Sequence, residues 1–148
     1  MKLSILMPVY NEERWLTPVV ERVLNQKVEG IKSVELIIID DDSKDGTDTI
    51  VRELAQKYPK NIKAIFHKEN QGKGAALRSG IAEMTGDLCI IQDADMEYDP
   101  ANYPMLLAPL VKGVADCVYG SRFQGSEPKR VLFYWHYISR EEYWGWGI

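Results

Sequence analysis

The chain has 148 residues, of which 45% are hydrophobic and 27% charged, and its formal net charge at pH 7 is −4. This length fits one domain of ordinary size, whose core needs no disulfide or metal ion for stability. The acidic balance argues against a nucleic-acid-binding protein, because such proteins depend on clustered basic residues that displace counterions from phosphates.

Two cysteines, Cys89 and Cys117, lie far apart in apolar stretches, which predicts buried, reduced thiols. The apolar run at residues 3–9 contains a serine and a proline and lacks a cleavage pattern, so it indicates neither a signal peptide nor a membrane span. No later stretch approaches the roughly 20 apolar residues that a membrane helix needs. We therefore expect a cytoplasmic protein.

Apolar runs predict five strands, of which the first is Leu3 to Met7 and ends before Pro8. The others are predicted at residues 34–39, 62–66, 88–91 and, more weakly, 115–119. Apolar residues at helical spacing predict helices between them, at residues 16–24, 50–58, 76–84 and 103–111. This alternation indicates an α/β fold with a mainly parallel sheet covered by helices on both faces. Ligands of such sheets bind at the carboxyl ends of the strands.

Acidic residues follow three of the predicted strands. Glu12 and Glu13 come after the first strand, three aspartates at 40–42 after the second, and Asp93 and Asp95 after the fourth. In a parallel sheet these carboxylates converge on one edge, where like charges repel one another unless a cation lies among them.

The spacing of Asp93 and Asp95 lets two carboxylates in extended backbone face the same way. Their hard oxygen atoms suit Mg²⁺ or Mn²⁺, which can then hold a diphosphate. The alternative is that these aspartates cap the helix after Pro100 or solvate a turn. The buried strand before them and the second acidic strand end favour the metal site.

Other strand ends contain weaker signals. Asp45 and Thr47 fit a turn that leads into a helix N-terminus. Asp40 and Asp41 could accept hydrogen bonds from a base or a ribose. Tyr10 is compatible with stacking on a base and also with a place in the core.

Two glycine-containing segments are candidate anion contacts. In the loop at residues 67–74, the glycines would let backbone amides approach a phosphate, with Lys73 adding charge, or would form a simple turn. This loop matches neither a Walker A motif nor a dinucleotide fingerprint. The second candidate is Gly120-Ser121-Arg122.

Several enzyme classes lack their motifs in this sequence. The two histidines, His67 and His136, leave little material for a catalytic triad or a zinc site, and no serine stands in a nucleophile elbow. A haloacid-type phosphatase needs its aspartate pair after the first strand, and a receiver domain needs a lone aspartate after the third. A dehydrogenase needs a glycine fingerprint after the first strand.

Five motifs occur together in one order. They are Pro8-Val9-Tyr10-Asn11-Glu12, the run from Ile39 to Thr47, the run from Asn70 to Ala76, Asp93-Ala94-Asp95 and Gly120-Ser121-Arg122-Phe123. With this combination the sequence resembles the family-2 glycosyltransferases of the GT-A fold, especially the dolichyl- or polyprenyl-phosphate sugar synthases. The resemblance covers about residues 3–126 and implies a Rossmann-like, three-layer α/β/α domain that binds a nucleotide sugar.

The resemblance also implies roles for the matching residues. The nucleotide-contacting positions are Pro8, Tyr10, Glu12, Ile39, Asp41, Lys73, Asp93 and Ala94. The metal-binding positions are Asp93, Asp95 and Glu97, the last of which stands where relatives often have a glutamine. Asp95 and Arg122 are expected to act in catalysis, with Arg122 near the phosphates.

The implied reaction moves a sugar from a GDP- or UDP-linked donor to a polyprenyl phosphate or a glycan, with inversion at the anomeric carbon. Mg²⁺ or Mn²⁺ would stabilise the departing nucleoside diphosphate. A polyprenyl phosphate oxygen is already anionic and needs no general base, whereas a sugar hydroxyl would need one. The alternative is a catalytically inactive fragment that binds nucleotide sugars.

The C-terminal segment differs from the rest of the chain. Seven aromatic residues lie between Phe133 and Trp146, and the resemblance fades after His136. Residues 127–148 are therefore interpreted as incomplete or atypical: either the chain is truncated, or its aromatic residues contact a membrane surface or a partner. We accordingly expect binding of nucleotide and metal but poor sugar transfer, in the cytoplasm or at the cytoplasmic face of a membrane.

Overall fold

A computed structural model describes residues 1–95 and 97–120. Nearly all of them belong to one compact unit, Met1–Val118, and the second unit, Tyr119–Ile148, contributes only its first two residues to the described part. The domain boundary predicted between residues 126 and 127 lies outside the described residues and stays a prediction.

The described sheet is parallel throughout. Its strands are β1 (Lys2–Val9), β2 (Ser33–Asp40), β3 (Ile62–Phe66) and β4 (Leu88–Ile91). They lie in the order β3-β2-β1-β4, and each neighbouring pair is parallel. The predicted parallel sheet is confirmed, because apolar, β-branched runs are typical of strands that are buried on both faces.

Helices cover both faces of this sheet. They are α1 (Leu16–Leu24), α2 (Thr47–Lys57), α3 (Lys73–Glu83) and α4 (Tyr103–Val111), and a single 3₁₀ turn, Pro100–Asn102, precedes α4. The core on one face includes side chains of α1, α2 and α4, whereas α3 packs on the other face. The connection from β3 to β4 runs back across the sheet, and a right-handed crossover in that direction places its helix on the opposite face. The three-layer α/β/α architecture is thus confirmed.

Gly80 brings α3 close to the sheet. A Cβ atom at this position would lie 2.9 Å from Ile39 Cδ1 and 3.1 Å from Leu6 Cδ2. Both side chains are fully buried in the core beneath α3. A larger residue at this position would push α3 outward. This would also move the start of α3, which contributes Lys73 to the candidate site described below.

Pro8 lies inside β1, so the prediction that the strand ends before it was wrong. The Gln92 amide donates to Leu6 O at 2.9 Å, on the β4 side of β1. In a parallel ladder the next donor from β1 on that side would be the nitrogen of residue 8. Proline has no N–H, so it ends the pairing with β4 and not the strand itself.

Two further predictions are corrected. Residues 115–119 form no strand, and the sheet of the described residues consists of β1 to β4. Cys89 and Cys117 are free and exposed rather than buried. Along β4 the side chains alternate, so Cys89 and Ile91 point to the more exposed face, while Leu88 and Ile90 pack on the core.

The helices in residues 1–95 and 97–120 are too short or too polar to span a bilayer. None of them has both the length and the apolar character that a transmembrane helix requires.

Glu35 joins three segments at the amino end of the sheet. Its carboxylate accepts hydrogen bonds from Ser4 Oγ at 2.5 Å and from the Thr85 amide at 2.6 Å, and it lies 2.6 Å from Lys2 Nζ. Partial burial opposes ionisation of Glu35, but the hydrogen bonds from Lys2, Ser4 and Thr85 outweigh it and lower its pKa from 4.5 to about 2.

We expect Glu35→Gln to lower the free energy of unfolding by roughly 1 kcal/mol at pH 7. Because the pKa of Glu35 is lower in the folded chain, its stabilisation is complete above the unfolded pKa and is lost as pH falls from about 4.5 towards 2. Urea unfolding at pH 7, 4.5 and 2.5 should therefore show the two proteins converging in acid. A gap that stays constant with pH would contradict this assignment, and Glu29→Gln, at an exposed position, is the control.

Candidate active site

The candidate site lies where the strand order reverses. The chain runs from β1 through β2 to β3 in one direction and then returns to place β4 against the free edge of β1. Such a reversal opens a crevice beyond the carboxyl ends of the two strands that flank it, β1 and β4, and ligands of open α/β sheets bind there. The ends of β1 and β4 therefore position the segments with Glu12, Asp93 and Asp95 at this crevice.

The loop after β1 is fastened to the loop after β2. The amide of Asn11 donates to Ser43 Oγ at 3.0 Å, and Asn11 Oδ1 accepts from the Lys44 amide at 2.8 Å. The Glu12 amide donates to Thr47 Oγ1 at 2.9 Å. Asp45 Oδ1 accepts from the Thr47 amide at 2.9 Å, so the predicted turn into a helix N-terminus at Asp45 and Thr47 is confirmed.

These contacts leave the side chains after β1 facing an open cleft of about 630 Å³. The cleft is lined by Asn11, Glu12, Glu13, Arg14, Trp15 and Asp45. Tyr10 is 47% exposed, so it is not a core residue and its ring is accessible to a base. Pro8 is half-buried at the end of β1. The nucleotide contacts expected of Pro8, Tyr10 and Glu12 stay predictions.

Three neighbouring aspartates act on the carboxyl group of Glu12 through their negative charge. Burial raises its pKa, and the negative charges of Asp95, Asp45 and Asp93 raise it further. The shift indicates that the carboxylates after β1 and β4 lie near enough to repel one another, at the edge that the sequence predicts. Such mutual repulsion favours the binding of a cation.

Lys73 neutralises part of this charge. It is the first residue of α3, and its Nζ atom lies 2.5 Å from Asp93 Oδ1. The Asp93 side chain is 20% exposed and the Lys73 side chain 56% exposed, so solvent screens the pair. Lys73 thus directly contacts the segment after β4 that contains Asp93 and Asp95, which is called the acidic segment below. Its predicted contact with a nucleotide stays a prediction.

The neighbouring residues Ala94 and Glu97 determine the exposure and the hydrogen bonding of Asp95. Ala94 is 3% exposed and packs in the main core, which keeps the flanking aspartates at the surface. Asp95 Oδ1 accepts from the Glu97 amide at 3.0 Å. Glu97 is exposed, and Asp99, not Asp93 or Asp95, caps the 3₁₀ turn by accepting from the Ala101 amide.

The predicted metal ligands do not form a ready-made cage. Within residues 1–95 and 97–120, no three acidic, histidine or cysteine side chains converge closely enough to hold a metal ion. Asp93, Asp95 and Glu97 are therefore not preassembled, because unneutralised carboxylates repel one another. Mg²⁺ and similar ions at nucleotide sites commonly use one or two carboxylates, with phosphates and water completing the shell. The half-exposed pair Asp93 and Asp95 beside Glu12 fits that kind of site.

Ile39 does not reach the strand-end edge through its side chain. It is fully buried in the core beneath α3 with Leu6 and Ile37. Because side chains alternate along β2, Ile39 faces α3 from within the sheet. The predicted contact of Ile39 with the nucleotide stays a prediction.

Asp41 is committed to contacts within the chain. Its carboxylate is buried, with 3% exposure, and accepts from the amides of Gln71 at 3.0 Å and Gly72 at 2.7 Å. His67 Nδ1 lies 2.6 Å from Asp41 Oδ1. Burial opposes ionisation, but these donors outweigh it and hold the pKa of Asp41 below its ordinary value. Asp41 thereby fixes the loop that leads into α3, and its ribose contact stays a prediction.

The contacts of His67 were not predicted from the sequence motifs. Its second ring nitrogen, Nε2, lies 2.9 Å from Ser79 Oγ, so Asp41, His67 and Ser79 form a line that resembles a catalytic triad. Ser79 lies inside α3, however, where backbone amides are used by the helix and cannot form an oxyanion hole. The arrangement therefore ties α3 to the end of β2. A histidine directly after β3, next to the acidic end of β2, is the signal that could have indicated it.

Arg122, the second predicted catalytic residue, lies outside the described residues, as do the aromatic residues of the C-terminal segment.

Comparison with known sequences places this geometry in a family. The family model described as "Glycosyl transferase family 2" matches residues 4–145. The match extends beyond residues 3–126, the stretch over which the resemblance was expected. The expectation that the chain departs from the family after His136 was therefore wrong, because the match continues to residue 145.

Two curated relatives have related activities. A dolichol-phosphate mannosyltransferase of Pyrococcus furiosus is 33% identical over 141 residues, which are 95% of this chain and 39% of that protein. An undecaprenyl-phosphate 4-deoxy-4-formamido-L-arabinose transferase of Proteus mirabilis is 34% identical over 112 residues, 76% of this chain and 34% of that protein. The chain thus spans little more than a third of the length of these relatives.

A solved structure resembles the fold. A mannosyltransferase from Pyrobaculum calidifontis, in complex with GDP-Man and Mn²⁺, aligns with a TM-score of 0.63 and 29% identity. The alignment covers 77% of this chain and 32% of that one. The parallel sheet, the acidic strand ends and the match over residues 4–145 agree, and the chain belongs to glycosyl transferase family 2.

Proposed function

We propose that this chain binds a GDP- or UDP-linked sugar together with Mg²⁺ or Mn²⁺ and takes part in transferring the sugar to a polyprenyl phosphate. The observation that carries the proposal is the position of Glu12, Asp93 and Asp95, which follow the carboxyl ends of β1 and β4 at the reversal of the strand order. An acidic edge of this kind repels a diphosphate unless a divalent cation lies between them. The two curated relatives are named for polyprenyl-type phosphate acceptors, which supports the acceptor.

Four residues at or near this edge have a proposed part in donor binding. Asp93 and Asp95 would hold the ion, which stabilises the charge of the departing nucleoside diphosphate. Lys73, now paired with Asp93, is close enough to the acidic segment to meet a phosphate once the ion occupies the carboxylates. The exposed ring of Tyr10 is available to stack on the base.

The transfer is a single displacement in this proposal. An anionic oxygen of the polyprenyl phosphate forms the new bond to the anomeric carbon, and the bond to the nucleoside diphosphate breaks with its electron pair on the leaving oxygen. No proton has to be removed, so no general base is required. Because a polyprenyl phosphate is a membrane lipid, the proposed reaction takes place at a membrane surface. We propose the cytoplasmic face, and we assign Arg122 to the phosphates.

A second candidate is a chain that binds the donor without transferring the sugar. This stretch of 148 residues spans only 34–39% of the length of the curated relatives.

Calorimetry of the 148-residue chain with GDP-Man and UDP-glucose, with Mn²⁺ or with EDTA, tests the proposal. We expect one of the two donors to bind in Mn²⁺ and its affinity to fall at least about tenfold in EDTA, because the ion screens the acidic edge. If neither nucleotide binds at any Mn²⁺ concentration, the donor site is wrong. Sugar transfer to a polyprenyl phosphate in vesicles then separates the two candidates, since the second predicts binding without turnover.

A further inference from the structure

Gln92 is a buried polar residue between β4 and the acidic segment. It is 1% exposed, and its amide extends the β1–β4 pairing by donating to Leu6 O. Its side-chain Nε2 donates to Asp93 O at 3.0 Å and to Tyr98 O at 3.1 Å. One side chain therefore joins the two ends of the segment that contains Asp95.

Tyr103 completes this connection from the start of α4. Its hydroxyl donates to Gln92 Oε1 at 2.7 Å, and the residue is 3% exposed within the main core. Burial raises the pKa of Tyr103 well above its ordinary value, so the hydroxyl remains a donor at neutral pH. Both amide protons and the oxygen of the Gln92 side chain thus have partners, as a buried amide requires.

The connection matters because it is buried, whereas the ion pairs of this segment are exposed to solvent. Other contacts of the segment include the packing of Ala94, the hydrogen bond from the Glu97 amide to Asp95, the pair of Lys73 with Asp93 at 2.5 Å and the pair of Arg22 with Asp99 at 3.0 Å. Exposed ion pairs contribute little to stability. The buried side-chain amide of Gln92 therefore ties the segment to Tyr103 of α4 without the solvent screening that weakens these ion pairs.

We infer that Gln92 and Tyr103 are positioning residues that hold the backbone of Asp93 and Asp95 at the spacing a divalent ion needs. The inference rests on the proposed function, since it concerns the same ion. Neither side chain touches the ion in this inference. They act through the carbonyl groups of Asp93 and Tyr98, in the way that outer partners of metal ligands fix ligand orientation.

Tyr103→Phe and Gln92→Leu test the inference, with Mn²⁺ affinity measured from the electron paramagnetic resonance signal of the free ion. We expect affinity to fall about threefold in Tyr103→Phe and roughly tenfold in Gln92→Leu. The double variant should bind Mn²⁺ no more weakly than Gln92→Leu does, because both substitutions break the same hydrogen bond between Tyr103 and Gln92. Additive losses, or unchanged affinity in Tyr103→Phe, would overturn the inference.

Hydrogen exchange gives a readout that needs no metal. In EDTA, the amides of residues 93–98 should exchange faster in Tyr103→Phe than in the original chain, while those of β1 keep their rates. Equal exchange rates in the segment would overturn the inference even if metal affinity changed.

Ser4→Ala is the matched control. Ser4 is also fully buried and polar, and it donates to Glu35 and accepts from the Gly86 amide at the far end of the sheet. This variant should lose stability and keep its Mn²⁺ affinity. An equal loss of affinity in Ser4→Ala would mean that Gln92→Leu acts through general destabilisation. Failure of the unsubstituted, folded chain to bind Mn²⁺ would instead overturn the proposed function along with the inference.

Discussion

Asp95→Asn is expected to lower Mn²⁺ affinity about 100-fold and any sugar transfer about 1000-fold. Asparagine keeps the size of the side chain and an oxygen that can accept from the Glu97 amide, so the local backbone should persist. What is lost is the negative charge that the ion and, through it, the diphosphate require. Calorimetric titration with Mn²⁺, and then with nucleotide sugar at saturating Mn²⁺, measures both effects.

Thermal unfolding distinguishes a binding defect from a folding defect. Asp95 raises the pKa of Glu12 by charge repulsion, so removing its charge relieves an unfavourable interaction. In EDTA, Asp95→Asn should therefore unfold at the same temperature as the original chain or slightly higher. In Mn²⁺ the original chain should gain stability by ligand binding, and the variant should not.

Asp99→Asn provides the control for this experiment. Asp99 lies four residues farther along the same acidic stretch, but it pairs with Arg22 and caps the 3₁₀ turn. Its substitution should leave Mn²⁺ affinity within about twofold, as for an exposed ion pair. If Asp95→Asn bound Mn²⁺ as well as Asp99→Asn does, the ion would have to bind elsewhere.

Asp41→Ala is expected to lower the free energy of unfolding by roughly 3 kcal/mol, because it leaves His67 and the amides of Gln71 and Gly72 without their buried acceptor. For a domain of this size that corresponds to a fall of about 10 °C in Tm. Circular dichroism during heating and urea titration measures the two quantities.

The direction of the Asp41 pKa shift determines how the stabilisation by Asp41 depends on pH. The pKa of Asp41 is lower in the folded chain, so its stabilisation is present above the ordinary aspartate pKa and is lost as pH falls through the folded value. The stability difference between the original chain and Asp41→Ala should therefore shrink below about pH 4.

Asp42→Asn is the neighbouring control. Asp42 pairs with the exposed Lys44 and has a φ of +63°, which asparagine tolerates. It should change stability by less than about 0.5 kcal/mol. An Asp41→Ala protein as stable as Asp42→Asn would contradict the role of Asp41 in fixing the loop before α3.

Patterns along the chain predict most of the fold. The bounds of β3 and β4 and of α1 and α4 agree with the prediction, because apolar runs and helical spacing reflect which side of an element is buried. The start of α3 differs: the helix begins at Lys73, three residues before the first apolar position of its pattern. Its first three residues, Lys73-Gly74-Ala75, contain no large apolar side chain and add little to the helical pattern.

The candidate site was predicted less completely. Acidic residues after strands indicated the edge at which Glu12, Asp93 and Asp95 meet, and the topology agrees. The pairing of Lys73 with Asp93 involves two segments 20 residues apart, and no local pattern indicates such a partner. The buried line from Asp41 to His67 depends likewise on the placement of α3.

The sequence by itself determined the α/β class, the parallel sheet and the acidic character of its carboxyl edge, because hydrophobic periodicity and strand-end residues are local properties. The tertiary structure decided which of these residues face that edge. Ile39 became a core residue, Asp41 an internal acceptor and Cys89 an exposed thiol. The physical reason is that the exposure and charge environment of a side chain depend on the neighbouring strands and helices, which the order of residues does not specify locally.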